Sequence, residues 1–144
     1  SSILASTIES GDYQPINITA DDYSMNDKPA FTFSFGKAQN DFFSFTAQCS
    51  IFGKKSSKTS TKGKSVYDIS LEYHNGVTKQ YMISESKFDT YVNLDVFIKD
   101  KTFTFVIDGQ LYDTSSNSLY TVRPQSVVLN AKEMREIRDG CKKR

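Results

Sequence analysis

Leu94-Asp95-Val96-Phe97-Ile98-Lys99-Asp100-Lys101-Thr102-Phe103-Thr104-Phe105-Val106-Ile107 is the stretch that decides the fold. Leu94, Val96 and Ile98 alternate with Asn93, Asp95 and Phe97, and Phe103, Phe105 and Ile107 alternate after a polar break. Side chains along a strand point to opposite faces with period 2, so each half is a half-buried strand. A turn centred on Asp100-Lys101 pairs Ile98 with Phe103, Val96 with Phe105 and Leu94 with Ile107. Both apolar sets then lie on one face, as register in a one-sided sheet requires.

The same pattern extends on both sides. Phe31, Phe33 and Phe35 alternate with Thr32 and Ser34, and Gly36 to Asp41 read as a turn. Phe42 to Phe52 form a longer strand with Phe43, Phe45, Ala47, Cys49 and Ile51 on its apolar face. Tyr67, Ile69, Leu71 and Tyr73 precede His74-Asn75-Gly76, and Val77, Tyr81 and Ile83 follow. A three-residue loop with left-handed Gly76 pairs Tyr73 with Val77 and Ile69 with Tyr81, keeping the apolar faces together. Asp108-Gly109 is a further turn signal. Leu119–Arg123 and Val127–Leu129 read as two short strands broken by Pro124. Asn130 then opens a helix, with Glu133 as its capping-box partner, Met134, Ile137 and Cys141 as a narrow apolar stripe, and Gly140 as a left-handed C-terminal cap.

These signals amount to about eight strands and one helix. The expected fold is mainly β: an antiparallel meander forming a small sandwich or open barrel, with a short C-terminal helix packed on the sheet. A chain of 144 residues suits a single domain. Residues 1–29 form a polar, acidic segment draped over the fold, with one short strand near Ile16–Ile18. Residues 30–129 form the β core and 130–141 the helix.

Two cysteines, Cys49 and Cys141, lie on apolar stripes that must meet in one core. A disulfide between them is expected, the alternative being two buried thiols. Their spacing matches no CxxC redox motif and no zinc site. A disulfide points to an oxidising compartment, so a periplasmic or secreted protein is expected. No stretch holds more than three consecutive apolar residues, which excludes a transmembrane helix.

Net charge is +1 but unevenly placed. Residues 1–29 carry five acids against Lys28, and residues 54–65 carry Lys54, Lys55, Lys58, Lys62 and Lys64 with no acid. The lysine segment has no apolar residue and reads as a flexible loop. It can meet an acidic partner, but it lacks the arginines and interleaved aromatics of a nucleic-acid site. Tyr13, Tyr23, Tyr91 and Tyr112 fall outside the regular alternation and are candidates for exposed rings that stack on sugars or anchor a protein. Asn17-Ile18-Thr19 is a glycosylation sequon, relevant in a eukaryotic secretory cell.

Catalytic equipment is sparse. His74, the single histidine, sits beside a turn, which leaves no natural Ser-His or Cys-His pair. Asp21, Asp22, Asn26 and Asp27 lack EF-hand spacing, so no metal and no cofactor is expected. The reading favoured by sequence is an exported, non-enzymatic binding protein of inhibitor or immunity type that presents loops 54–65, 84–90 and 113–118 to another protein. A carbohydrate-binding or adhesive module using exposed tyrosines is the alternative. A hydrolase with convergent carboxylates comes third.

Overall fold

The computed structural model describes residues 4–53, 55–76, 79–82, 90–113 and 116–142, with only the backbone for 79–82. The strands are β1 (Leu4–Ile8), β2 (Gly11–Tyr13), β3 (Ile16–Thr19), β4 (Ser24–Met25), β5 (Lys28–Ala38), β6 (Asp41–Gln48), β7 (Ser57–Ser60), β8 (Ile69–Asn75), β9 (Lys79–Met82), β10 (Tyr91–Lys99), β11 (Thr102–Asp113) and β12 (Ser118–Leu129). A 3-10 turn covers Cys49–Ile51, and helix α1 spans Ala131–Lys142.

Two sheets face each other in a sandwich-like arrangement, and the helix packs against them. One sheet runs β3-β5-β6-β8-β9; the other runs β7-β10-β11-β12, with β1 and β2 on the far edge of β12. A single pair, Tyr112 with Met82, joins β9 to β11 and links the sheets. Phe31, Phe33 and Phe35 of β5, Phe45 of β6, Ile69 and Leu71 of β8, and Leu94, Phe103, Phe105 and Ile107 of the opposite sheet are all buried. Phe105 crosses the interface, meeting Phe31, Phe33 and Phe45 edge-on at centroid distances of 6.2, 5.6 and 6.0 Å. Edge-to-face geometry suits the ring quadrupoles, so these contacts add to the burial that holds the sheets together.

The β10–β11 hairpin has the register its sequence dictates, Val96 opposite Phe105 and Ile98 opposite Phe103. Asp100 and Lys101 both take positive φ, as a tight turn matched to strand twist requires. The helix start also follows the sequence. The Asn130 backbone N–H donates to Glu133 Oε1 and the Glu133 N–H donates to Asn130 Oδ1, both at 2.9 Å. Cys49 and Cys141 form a disulfide with a Cα–Cα distance of 5.8 Å.

Six expectations are corrected. The β8–β9 register pairs Tyr73 with Tyr81 and Asn75 with Lys79, so the turn comes later than His74-Asn75-Gly76. β8 stays extended through Asn75 because Asp41 of β6 pairs with it, and the Gly76 N–H then donates to Asn40 O. The shift is even, so Tyr73 still stands opposite an apolar position of the next strand; Val77 and Ile83 lie outside the described residues. Asp108-Gly109 is no turn, since β11 runs through it with a register shift. Pro124 does not break β12 either: residues 123 and 124 oppose Asp108 alone, a bulge that absorbs the missing N–H.

Residues 1–29 are not merely draped. β1 and β2 pair in parallel with β12, and β3 pairs with β5, so the segment edges both sheets. The fully buried Gln125 fills the gap between β1 and β2, its Nε2 donating to Glu9 O at 2.7 Å and Arg123 O at 2.8 Å. The lysine segment is not a free loop: Ser57–Ser60 pairs with Asn93–Val96 of β10. Finally, Gly140 is helical and buried rather than a left-handed cap, because α1 runs on to Lys142. A Cβ there would lie 2.5 Å from the Ala20 Cβ, so glycine allows the helix to close on β3.

Candidate functional site

The feature best suited to hold a ligand is a cleft of about 290 Å³ at one end of the sandwich. Both sheets build it. β5 and β6 supply Lys37, Asp41 and Phe43, β8 supplies Tyr73 and Asn75, and the opposite sheet supplies Ile8, Tyr13 and Tyr120, with Glu9 following β1.

Strand alternation places these groups. Phe35 and Phe43 face inward on paired strands and stack at 5.1 Å, and Tyr73, opposite Phe43 on the next strand, lies 4.8 Å from it. This inward row ends where the sheet ends, so its last rings form the cleft wall. Tyr120 reaches across from β12, its ring 6.1 Å from that of Tyr73. Tyr13 lies 5.5 Å from Phe35. Gly11 makes that pose possible, because a Cβ there would overlap the Tyr13 ring.

Polar groups ring the aromatic wall. The Tyr73 hydroxyl donates to Asp41 Oδ1 at 2.8 Å, a charge-assisted bond that fixes both side chains. Burial and the nearby Asp41 and Asp12 carboxylates raise the pKa of Tyr13, so its phenol stays protonated well into the alkaline range. Glu9, Lys37 and Asn75 are exposed at the mouth, with no side-chain hydrogen bond or ion pair among the described residues. The cleft thus joins apolar ring surface to two carboxylates, an ammonium, an amide and phenolic hydroxyls.

The residues singled out by sequence scatter. Tyr13 lies in the cleft. Tyr91 is half-buried at the start of β10 and does not line the cleft; the Lys62 ammonium lies 5.4 Å from its ring centroid. Tyr23 is half-buried near β4. Tyr112 is not an exposed ring: it is 9% exposed and its hydroxyl donates to Asn117 Oδ1 at 2.6 Å. Lys55, Lys58, Lys62 and Lys64 are exposed, the first before β7, the second on it and the last two after it, while Lys54 lies outside the described residues. Loop 84–90 falls outside them as well, apart from Thr90, as do residues 114 and 115 of the 113–118 loop. His74 is a strand residue, stacked on Phe42 at 4.6 Å and 3.1 Å from Glu72 Oε2. Asn17 is exposed at positive φ in β3.

Tyr73, Tyr120, Asp41 and Glu9 were missed by sequence reading. Tyr73 carries the period of a core residue, and nothing local tells that its strand ends at an open rim. No family model, no curated protein and no solved structure matches this chain. The site therefore stands on its geometry: a small disulfide-linked β-sandwich with aromatic residues at its surface.

Proposed function

We propose that the protein is a carbohydrate-binding module that seats a sugar ring in the cleft against the half-buried Tyr13 and Tyr120, with the buried Tyr73 as the floor that holds Asp41. The observation that carries this reading is the meeting of three tyrosines with Asp41, Glu9, Lys37 and Asn75 around one small opening. A sugar ring has an apolar C–H face and a belt of hydroxyls. Tyrosine rings cover the first, and fixed carboxylate, amide and ammonium groups bond the second. Pockets for drug-sized ligands usually measure about 300–1,000 Å³, so a cleft of about 290 Å³, just below that range, suits a single ring.

Binding rather than turnover is the proposed role. Asp41 is held by the Tyr73 hydroxyl, an arrangement that fixes an acceptor for recognition. An exported location belongs to the same proposal and rests on the disulfide, which persists in oxidising compartments.

A glycan array followed by calorimetry tests the reading. Binding to a defined glycan is expected, weakened at least tenfold by Asp41→Ala, since a hydrogen bond to a charged group contributes about 1.5–3 kcal/mol. Tyr13→Ala should weaken it by a similar factor. Failure of every arrayed glycan to bind would overturn the proposal. A protein-binding reading would then take its place, supported by the exposed Lys55, Lys58, Lys62 and Lys64. Its mark would be an acidic protein captured by the wild type and lost when these lysines become glutamine.

A further inference from the structure

We propose a second site, far from sugar chemistry in character: a groove beside the disulfide that binds a small organic oxyanion, a carboxylate or phosphate ester carrying a flat apolar group. The groove has a volume of about 780 Å³ and is lined by Ser50, Phe52, Gly53, Arg138, Lys142 and the Cys49–Cys141 bridge. Two cations line it and no acid does among the described residues.

Arg138 is the telling residue. It is half-buried, and its guanidinium carbon lies 5.3 Å from the ring centroids of both Phe52 and Phe103. Those two rings stack on each other at 4.5 Å, so the arginine rests on a rigid aromatic base. Cation–π contact holds the plane of the fork without using its N–H donors. Among the described residues no carboxylate or carbonyl accepts from Arg138. Arg138 lines the open groove, so its N–H donors are available to a ligand in place of solvent. A planar oxyanion matches that fork bidentately. Lys142 adds a second positive charge, Ser50 a hydroxyl, and Phe52 an apolar surface for the rest of the molecule.

Lys142 also suits the negative end of helix α1, which would account for a cation in its last turn. That does not account for Arg138, whose head lies on the phenylalanines rather than on the helix carbonyls.

The probes are benzoate, phenyl phosphate and inorganic phosphate, titrated into the full chain by calorimetry and by the Arg138 Nε resonance. Saturable, salt-sensitive binding of benzoate or phenyl phosphate at millimolar concentration or below is expected, and the stronger of the two identifies the anion class. Arg138→Gln should weaken it at least tenfold. Arg138→Lys should weaken it too, because lysine keeps the charge and loses the fork. Arg135→Gln, an exposed change on the same helix, should not. Should Arg138→Gln loosen the helix, Lys142→Gln tests the same site without disturbing the phenylalanine stack. Absence of saturation with both aromatic anions, or binding indifferent to Arg138 and Lys142, would overturn the site. Inorganic phosphate binding as tightly as phenyl phosphate would overturn the role of Phe52.

Discussion

At the scale of single residues, helix preference and packing pull in opposite directions at Gly140. Gly140 lies inside helix α1, where alanine is better than glycine by about 1 kcal/mol in intrinsic preference. Propensity alone therefore makes Gly140→Ala stabilising. The packing says otherwise. An added Cβ would fall 2.5 Å from the Ala20 Cβ and 2.8 Å from its carbonyl carbon, and backbone cannot rotate aside as a side-chain tip can. Overpacking of this kind costs roughly 1–3 kcal/mol, so the clash outweighs the preference. Gly140→Ala is expected to lower stability in urea unfolding. Gly53→Ala, where an added Cβ meets nothing within 4 Å, serves as the neutral comparison. A gain in stability for Gly140→Ala would show that the helix can lift off Ala20 at little cost.

At the scale of elements, the lysine segment tests how far polarity predicts disorder. Its sequence offers no apolar residue to bury, yet β7 pairs with β10 and Thr61 is 1% exposed. The Val92 N–H donates to Thr61 Oγ1 at 2.9 Å, and the Thr61 N–H donates to Val92 O at 3.0 Å. Hydroxyl and backbone, not hydrophobicity, anchor the segment. Thr61→Val removes the acceptor and leaves the Val92 N–H unsatisfied in a buried place, a loss of about 1–3 kcal/mol. Replacing Lys55, Lys58, Lys62 and Lys64 with glutamine should change stability by no more than about 0.5 kcal/mol, as for exposed sites generally. Thermal melts of the two variants check the contrast. The same pair of cases explains what was legible. Period-2 runs such as Phe103, Phe105 and Ile107 announce their strand and their face, and the Asn130–Glu133 box announces its helix, because both signals are local. Edge strands such as β1, β2 and β7 have little apolar alternation; pairing with a distant strand creates them. The cleft was illegible for a related reason. Tyr13, Asp41, Tyr73 and Tyr120 come together only where four separate strands end.

At the scale of the whole molecule, the disulfide joins the two parts with the least in common. Cys49 follows β6 in one sheet, while Cys141 ends a helix that packs on β3, β5, β11 and β12 and so touches both sheets. The helix buries only Met134, Ile137 and Gly140. That is a small apolar footprint for an element of 12 residues, and isolated helices of this length are marginal in water. The sheets are in the opposite position, with Phe31, Phe33, Phe35, Phe45, Phe103 and Phe105 buried between them. The link should therefore matter unequally. A separation of 92 residues corresponds to about 4.5 kcal/mol of loop-closure entropy in the chain-entropy argument, with measured values commonly about 2–4 kcal/mol. Reduction, or the Cys49→Ala/Cys141→Ala pair, is expected to lower Tm by roughly 10 °C at this chain length. The fold should survive, since the sheet core does not depend on the bridge. Hydrogen exchange is the sharper measurement: amides of α1 should lose protection first and most, while those of β5, β6 and β11 keep theirs until global unfolding. Equal loss across helix and sheets would mean that helix and sandwich form one cooperative unit. An unchanged Tm would mean that Met134, Ile137 and the Gly140–Ala20 contact already hold the helix without a covalent tie.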